Sequence, residues 1–360
     1  MSNVMLFGAG RMGAVIAHAM EILGHNVSVA DASSEALNLI ERRQEEYKTY
    51  HINDLDKDLK KILSQSFNLV ISALPYHATK KVARACIENG TPYCDLGGSV
   101  PVSQEINDYA NEVGSMVFTD LGLAPGLVNI LAEWGYNELG GADNINMMVG
   151  GLPNVPSSNL LGYTVTWSID GLINEYKDDC EILEDGEIKI VKGMDGLESV
   201  VSQRLGEYEA FYTSGGASHT IRTMKERGVK NCNYKTLRYK GHNEIVKFLI
   251  RDCDLTDECL TEIFEKGCNT DDDDIIVVRA VVELGNLSWK KEFVVSSDSL
   301  VYNDNWEGPL YSAMQKSTAF SLASVADLMT RKQFENRPLG YKDVPFDLFS
   351  ENLRTLGIRT

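Results

Sequence analysis

Val4-Met5-Leu6-Phe7-Gly8-Ala9-Gly10-Arg11-Met12-Gly13 decides the fold of this chain. Four apolar residues in a row read as a buried strand, and apolar positions at helical spacing run on from the glycines to Leu23. Glycines spaced G-x-G-x-x-G between a strand and a helix are the signature of a dinucleotide-binding turn. Gly8 permits the tight turn, Gly10 lets the backbone approach a pyrophosphate, and Gly13 lets helix and strand pack closely. Arg11 and Met12 lie where the new helix presents free amides and the positive end of its dipole to an anion.

The next strand, Asn26 to Asp31, ends in an acid 18 residues beyond Gly13. A carboxylate there accepts from both hydroxyls of an adenosine ribose and repels a 2′-phosphate. Ala32-Ser33-Ser34 brings no arginine to neutralise one, so NAD is the expected cofactor. The alternative is that Asp31 only caps the following helix. Phe67 to Leu74, Pro92 to Leu96 and Ser115 to Thr119 are further strands, separated by helical stretches. That alternation predicts an α/β fold with a doubly wound parallel sheet, a Rossmann domain. Ligands lie at the carboxyl ends of such strands. Ala73, Leu74, Pro75 and Tyr76 are therefore expected against the nicotinamide, with Asp95, Gly97 and Gly98 at the next strand end and Asp120 after them. His77 reads as a surface histidine of the same loop.

Past Gly122 the pattern changes. Asn146 to Val149, Gly162 to Trp167, Glu187 to Val191, Ile275 to Leu284 and Leu287 to Val295 read as strands, the last two joined through a Gly285-Asn286 hairpin turn. They predict an inserted α+β catalytic domain with a mixed or antiparallel sheet. The expected boundaries are 1–123 for the Rossmann domain, 124–305 for the catalytic and dimerisation domain, and 306–360 for a helix (308–329) and tail that return to the first. Asp271 to Asp274 reads as a solvated loop.

Composition narrows the class. A net charge of −18 argues against a nucleic-acid surface, which needs a basic face. Seven cysteines, with no Cys-x-x-Cys, predict free thiols, neither disulfides nor a zinc site, and no metal. No apolar run has the length of a membrane span, and no basic segment precedes an apolar stretch at the N-terminus. A cytoplasmic enzyme is expected, as a homodimer on general grounds.

Phe67 to Pro75, Asp95 to Gly98 and Gly122-Leu123-Ala124-Pro125-Gly126-Leu127-Val128-Asn129 together resemble the saccharopine dehydrogenase family. Within it, Gly162 to Tyr176, Glu209 to Thr213 and Lys235 to His242 are similar to lysine 6-dehydrogenases, although Ile169 stands where relatives commonly carry a proline. The resemblance implies oxidation of an amine, or reduction of an imine, with a nicotinamide cofactor and a small amino-acid substrate. Such a reaction needs a grip on the substrate's fixed ends and a base. Arg238 suits a carboxylate, which it can hold bidentately. His242, four residues on, suits proton transfer. Glu175 and Asp120 suit an ammonium. Tyr163 and Trp167, on one face of the expected strand, would wall an alkyl chain, with Tyr239 beside Arg238. Each has a plainer alternative: an interdomain salt bridge for Arg238, a structural histidine for His242, a surface acid for Glu175, core packing for Trp167. The expected reaction is oxidative deamination of the lysine side chain to 2-aminoadipate semialdehyde. The rivals are saccharopine or carboxynorspermidine-type reductive condensation, with Arg204 and Arg222 as extra cations, and a non-catalytic NAD-binding regulator.

Overall fold

The computed structural model describes residues 1–43, 47–202, 206–268, 273–297, 311–331 and 334–359, the side chains at 42 and 43 excepted. They fall into two compact units, residues 1–127 with 315–359, and residues 128–297 with 311–314.

The first unit alternates β1 (Asn3–Phe7), α1 (Arg11–Ile22), β2 (Asn26–Asp31), α2 (Ser34–Arg43), β3 (Lys48–His51), α3 (Leu55–Leu63), β4 (Leu69–Ser72), α4 (Tyr76–Asn89), β5 (Tyr93–Asp95), α5 (Val100–Val113) and β6 (Val117–Phe118). Its six strands are all parallel, in the order β3-β2-β1-β4-β5-β6. This is the doubly wound order, with its topological switch between β1 and β4. Val4, Met5, Leu6 and Phe7 are wholly buried, as the unbroken apolar run predicts for a strand covered on both faces. β3, Lys-Thr-Tyr-His, was not expected: it is an edge strand whose residues are exposed or half-buried and so carry no apolar pattern.

The second unit comprises α6 (Leu127–Leu139), which starts at the boundary, β7 (Asn144–Pro153), α7 (Ile169–Lys177), β8 (Asp179–Glu184), β9 (Glu187–Lys192), β10 (Glu198–Ser202), β11 (Gly206–Tyr212), α8 (Thr220–Glu226), β12 (Asn231–Arg238), α9 (His242–Lys247), α10 (Asp257–Gly267), β13 (Asp274–Leu284) and β14 (Leu287–Ser296). The main strand path is β10-β11-β12-β7-β13-β14, and β8 links β12 to β9. Only β7 and β12 pair in parallel, so the sheet is mixed. Its two ends curl toward each other: Ser202 Oγ on β10 donates to Glu292 Oε1 on β14 at 2.7 Å, and Arg279 Nη1 on β13 donates to the Val201 carbonyl at 3.0 Å. Met148, Leu152, Tyr208, Leu237 and Val277 fill the concave side. The hairpin between β13 and β14 turns through Gly285-Asn286, with Leu284 opposite Leu287.

Two expectations are corrected here. Gly162 to Trp167 is not a strand: between β7 and α7 the chain is irregular, with Tyr163, Thr164, Val165 and Thr166 all buried, from 1% to 7% exposed. The β-branched and aromatic content reflects packing into a helical cluster instead. Asp274 is not in a solvated loop; it is wholly buried and accepts the amide protons of Ala313 (2.5 Å) and Met314 (2.9 Å), capping the next helix. Asp271, Asp272 and Arg204 lie outside the described residues.

That helix, α11 (Ala313–Thr330), belongs to the first unit from Gln315 onward, as does α12 (Phe346–Thr355), for which the sequence carried no clear signal. Asp327 on α11, buried, bonds His25 Nε2 at 3.0 Å and accepts from Asn352 Nδ2 of α12 at 2.7 Å, tying both helices to the α1–β2 corner. Five of the seven free thiols are buried. Among the described residues no helix is long and apolar enough to cross a membrane, and no group of His, Cys, Asp and Glu is placed to hold a metal.

Candidate active site

In the first unit the glycine loop is built for close approach. Gly8 sits at φ 108°, where a Cβ would meet the Ala73 carbonyl oxygen at 2.8 Å. A Cβ on Gly13 would meet the Gly8 carbonyl oxygen at 1.9 Å, so only glycine lets α1 pack on β1. Gly10 differs: its φ is an ordinary −69° and nothing lies within 4 Å of where its Cβ would be. The space over Gly10, at the N-terminus of α1 with Arg11 and Met12 in its first turn, is an open cradle bounded by backbone amides. Asp31 closes one side. Its Oδ2 accepts from the Ala9 amide at 2.6 Å and its Oδ1 from the Ser33 amide at 2.7 Å. The cradle thus fits a pyrophosphate, with a carboxylate fixed at the adenosine end.

The rest of this strand edge is as the sequence placed it. Ala73, Leu74, Pro75 and Tyr76 follow β4, Tyr76 with its ring half exposed and edge-on to His77. Asp95, at the end of β5, is buried and accepts from Tyr93 Oη (2.9 Å), the Gly97 amide (2.9 Å) and the Asp120 amide (3.1 Å). Burial, followed by the neighbouring Asp120, pushes its carboxyl up to about 7. Asp120 is itself buried at φ 63°, accepts from Ser103 Oγ at 2.7 Å, and its carbonyl accepts from Tyr341 Oη at 2.9 Å. Gly97 is left-handed at φ 79° and a Cβ there would strike Asp120 Oδ1. Gly98, also left-handed, lies beside Tyr76.

The second unit gathers Arg238, His242, Tyr163 and, from α7, Tyr176. Arg238 Nε donates to Tyr176 Oη at 2.9 Å, and Tyr176 Oη lies 3.0 Å from His242 Nε2. His242 Nδ1 is 3.2 Å from the Leu161 carbonyl, which can only accept; Nδ1 therefore carries the proton and Nε2 accepts from Tyr176. The result is a directed chain, Arg238 to Tyr176 to His242 to Leu161. Burial and the Arg238 charge hold His242 down to about 3, so it is neutral. Both its nitrogens are used and its basicity is low, which matches the structural alternative and not the proton-transfer role.

Arg238 is 3% exposed. Its guanidinium lies 4.9 Å over the Tyr163 ring and donates through Nη1 to the Leu237 (3.0 Å) and Gly151 (3.4 Å) carbonyls. It has no ion pair among the described residues, and Nη2 has no acceptor there. Tyr163 Oη, Thr164 Oγ1 and Thr166 Oγ1 are buried with no hydrogen-bond partner among the described residues. Glu175, beside Tyr176 on α7 and partly exposed, is pushed up to about 7 by desolvation, against the pull of Arg238.

Trp167 and Tyr239 do not join this chain. Trp167 packs over Gly171, where a Cβ would meet its ring at 2.5 Å. Tyr239 lies with Leu237 on the opposite face of β12 from Arg238, its ring 5.5 Å from Tyr208 and its hydroxyl donating to the Pro153 carbonyl at 2.9 Å. Arg222, expected as a spare cation, pairs with Glu181 at 2.8 Å. Tyr176 was missed as a functional residue; its signal was present in the buried stripe Leu172, Ile173, Tyr176 of α7, directly after Glu175.

Two family models match the chain: the saccharopine dehydrogenase NADP binding domain over residues 4–118 and the saccharopine dehydrogenase C-terminal domain over residues 122–341. Among curated proteins, it is 26% identical over 218 residues to saccharopine dehydrogenase (NADP(+), L-glutamate-forming) of Schizosaccharomyces pombe, covering 59% of this chain and 48% of that one. It is 27% identical over 277 residues to the mitochondrial alpha-aminoadipic semialdehyde synthase of Rattus norvegicus, covering 69% of this chain and 28% of that one. The matches thus span less than half the length of these relatives. Among solved structures, apo saccharopine dehydrogenase (L-Glu forming) from Saccharomyces cerevisiae superposes with a TM-score of 0.74 at 17% identity, covering 99% of this chain and 96% of the other, a likeness of fold.

Proposed function

The chain belongs to the saccharopine dehydrogenase family, and from that premise we propose that it is an NAD-dependent amino-acid dehydrogenase that oxidises the C–N bond at the side-chain end of lysine. The observation that carries this is Arg238: a buried guanidinium that makes no ion pair among the described residues, although the Glu175 charge acts on it. A buried charge is costly unless an opposite charge meets it. The carboxylate of an amino acid supplies that charge at Nη2, the nitrogen left without an acceptor among the described residues, while Tyr176 and Tyr163 keep the guanidinium in place.

Gly8, Gly10, Gly13 and Asp31 would hold the dinucleotide, with Ala73 to Tyr76 and Asp95 to Gly98 lining its nicotinamide end. When bound, the nicotinamide supplies the acceptor for the hydride that leaves carbon. Asp31 favours NAD: its carboxylate, fixed by two amides, stands where a 2′-phosphate would otherwise lie. Glu175, with a carboxyl near 7, takes the proton released by the substrate nitrogen as the C–N bond becomes an imine. Water then releases ammonia and 2-aminoadipate semialdehyde. His242 orients Tyr176 and Arg238 and does not transfer the proton itself.

A second reading keeps the chemistry and changes the leaving group. The names of the curated relatives favour saccharopine, whose imine releases glutamate in place of ammonia. That substrate needs cations for further carboxylates, and Arg222 is engaged with Glu181. An absorbance assay for NADH formation on lysine, saccharopine, ornithine and diamines separates the cases. Lysine is expected to be the best substrate. Turnover of saccharopine with glutamate release moves the assignment to the second reading, and no NADH from any amine sinks both.

A further inference from the structure

Glu209, on β11, is a buried carboxylate at 7% exposure that the proposed chemistry does not use. It has no ion pair among the described residues. Its Oε2 accepts from the Gly241 amide at 2.9 Å and its Oε1 from the Asn243 amide. These two amides flank His242. The backbone of Glu209 also stands opposite Arg238 in the β11–β12 register. One residue therefore touches both ends of the five-residue segment Arg238 to His242, and each end of that segment bonds the same atom, Tyr176 Oη.

The turn between them has one long bond of its own, from the His242 amide to the Tyr239 carbonyl at 3.3 Å. Gly241 is left-handed at φ 96°, and α9, which runs on into a π-helical turn at Phe248–Asp252, starts directly after it with no side-chain cap of its own. Hydrogen bonds to a charged group are the stronger kind, on the order of twice a neutral pair. Asn243 adds a second strut, its Nδ2 donating to the Met194 carbonyl at 2.9 Å.

We infer that Glu209 is a positioning residue: its carboxylate grips the Gly241 and Asn243 amides and thereby sets the spacing of Arg238 and His242 around Tyr176. Its effect on substrate rests on the reading of Arg238 as the carboxylate grip. Its effect on His242 does not, and that difference makes the two separable.

The test uses the full chain with isotope-labelled histidine, wild type against Glu209→Gln, with His242→Gln to identify the His242 signal. Glutamine keeps the size but turns an N–H donor toward one of the two amides. The expected result is a shifted His242 ring signal with faster exchange of its Nδ1 proton. An amino-acid KM raised about tenfold or more should accompany it, since a lost charge-assisted bond costs about that factor, with NADH affinity unchanged. Should Glu209→Gln fail to fold, Glu209→Asp keeps the charge one methylene short and carries the same readouts. An unchanged His242 signal in a folded variant overturns the positioning role, whatever the kinetics. A shifted His242 signal in an enzyme that turns over no amine upholds it and removes the proposed function alone.

Discussion

Tyr176 and His242 share a 3.0 Å hydrogen bond in which the phenol donates and a neutral imidazole accepts. The same oxygen accepts from Arg238, so the phenol spends its one proton and a lone pair inside the protein. Tyr176→Phe would leave Arg238 Nε and His242 Nε2 buried without partners. A loss of about 1–3 kcal/mol in stability is expected, the usual cost of an orphaned buried group. Calorimetry that finds the variant as stable as wild type would show that the chain of bonds holds nothing.

Arg238→Lys keeps the charge and loses the planar guanidinium, whose Nε and Nη1 bonds aim Nη2. Substrate KM should rise roughly 10- to 150-fold, the equivalent of about 1.5–3 kcal/mol, with NAD affinity untouched. Steady-state kinetics on the preferred amine decide it; an unchanged KM would return Arg238 to a purely structural role.

Glu175 predicts a pH dependence. Its folded carboxyl lies near 7, above its ordinary 4.5, so as a base it becomes competent as pH rises through about 7. The kcat/KM profile should climb across that range, and Glu175→Gln should flatten the limb and lower the plateau by roughly 100-fold or more. The stability sign runs the other way. A raised folded value favours the protonated form, so this group's contribution is complete below about 4.5 and is lost as pH rises through 7. Denaturation across pH 5 to 8 should show that slope reduced in Glu175→Gln.

Gly10 and Gly13 separate binding from folding. Gly10→Val points a branched side chain into open space, so the melting temperature should hold while NADH binding is lost. Gly13→Ala drives a methyl to within 1.9 Å of a backbone oxygen and should destabilise by about 1–3 kcal/mol or more. Fluorescence titration and melting curves of the two variants give opposite patterns if the cradle lies over Gly10; NADH bound normally by Gly10→Val would place it elsewhere.

Asp31 sets cofactor choice. Wild type should use NAD far better than NADP, and Asp31→Ser with Ala32→Arg should narrow or reverse the ratio. The double variant also gives up the Ala9 and Ser33 contacts, so its NAD affinity should fall. Equal use of both cofactors by wild type would remove the argument.

The sequence alone determined the first sheet and its loop, because each signal there is local. A buried parallel strand is a continuous apolar run, as Val4 to Phe7 and Leu69 to Ile71 are, and a close backbone approach needs glycine at Gly8 and Gly13 whatever surrounds it. Polar edge strands such as β3 lack that signal. In the second unit the pattern misled at Gly162 to Trp167, where side chains suited to a strand pack in an irregular segment. β8, β10, β11 and β12 were not read as strands, since their pairing with one another and with β7 is set at a distance along the chain. Arg238 and His242 were legible as chemistry. Their relationship was not, because Tyr176, which joins them, arrives from a helix some 60 residues earlier. Only the tertiary structure could decide that His242 is neutral and fully bonded, that Tyr239 faces away, and that Glu209 holds the turn. Burial and hydrogen-bond direction arise from groups brought together by folding, and no spacing along the chain encodes them.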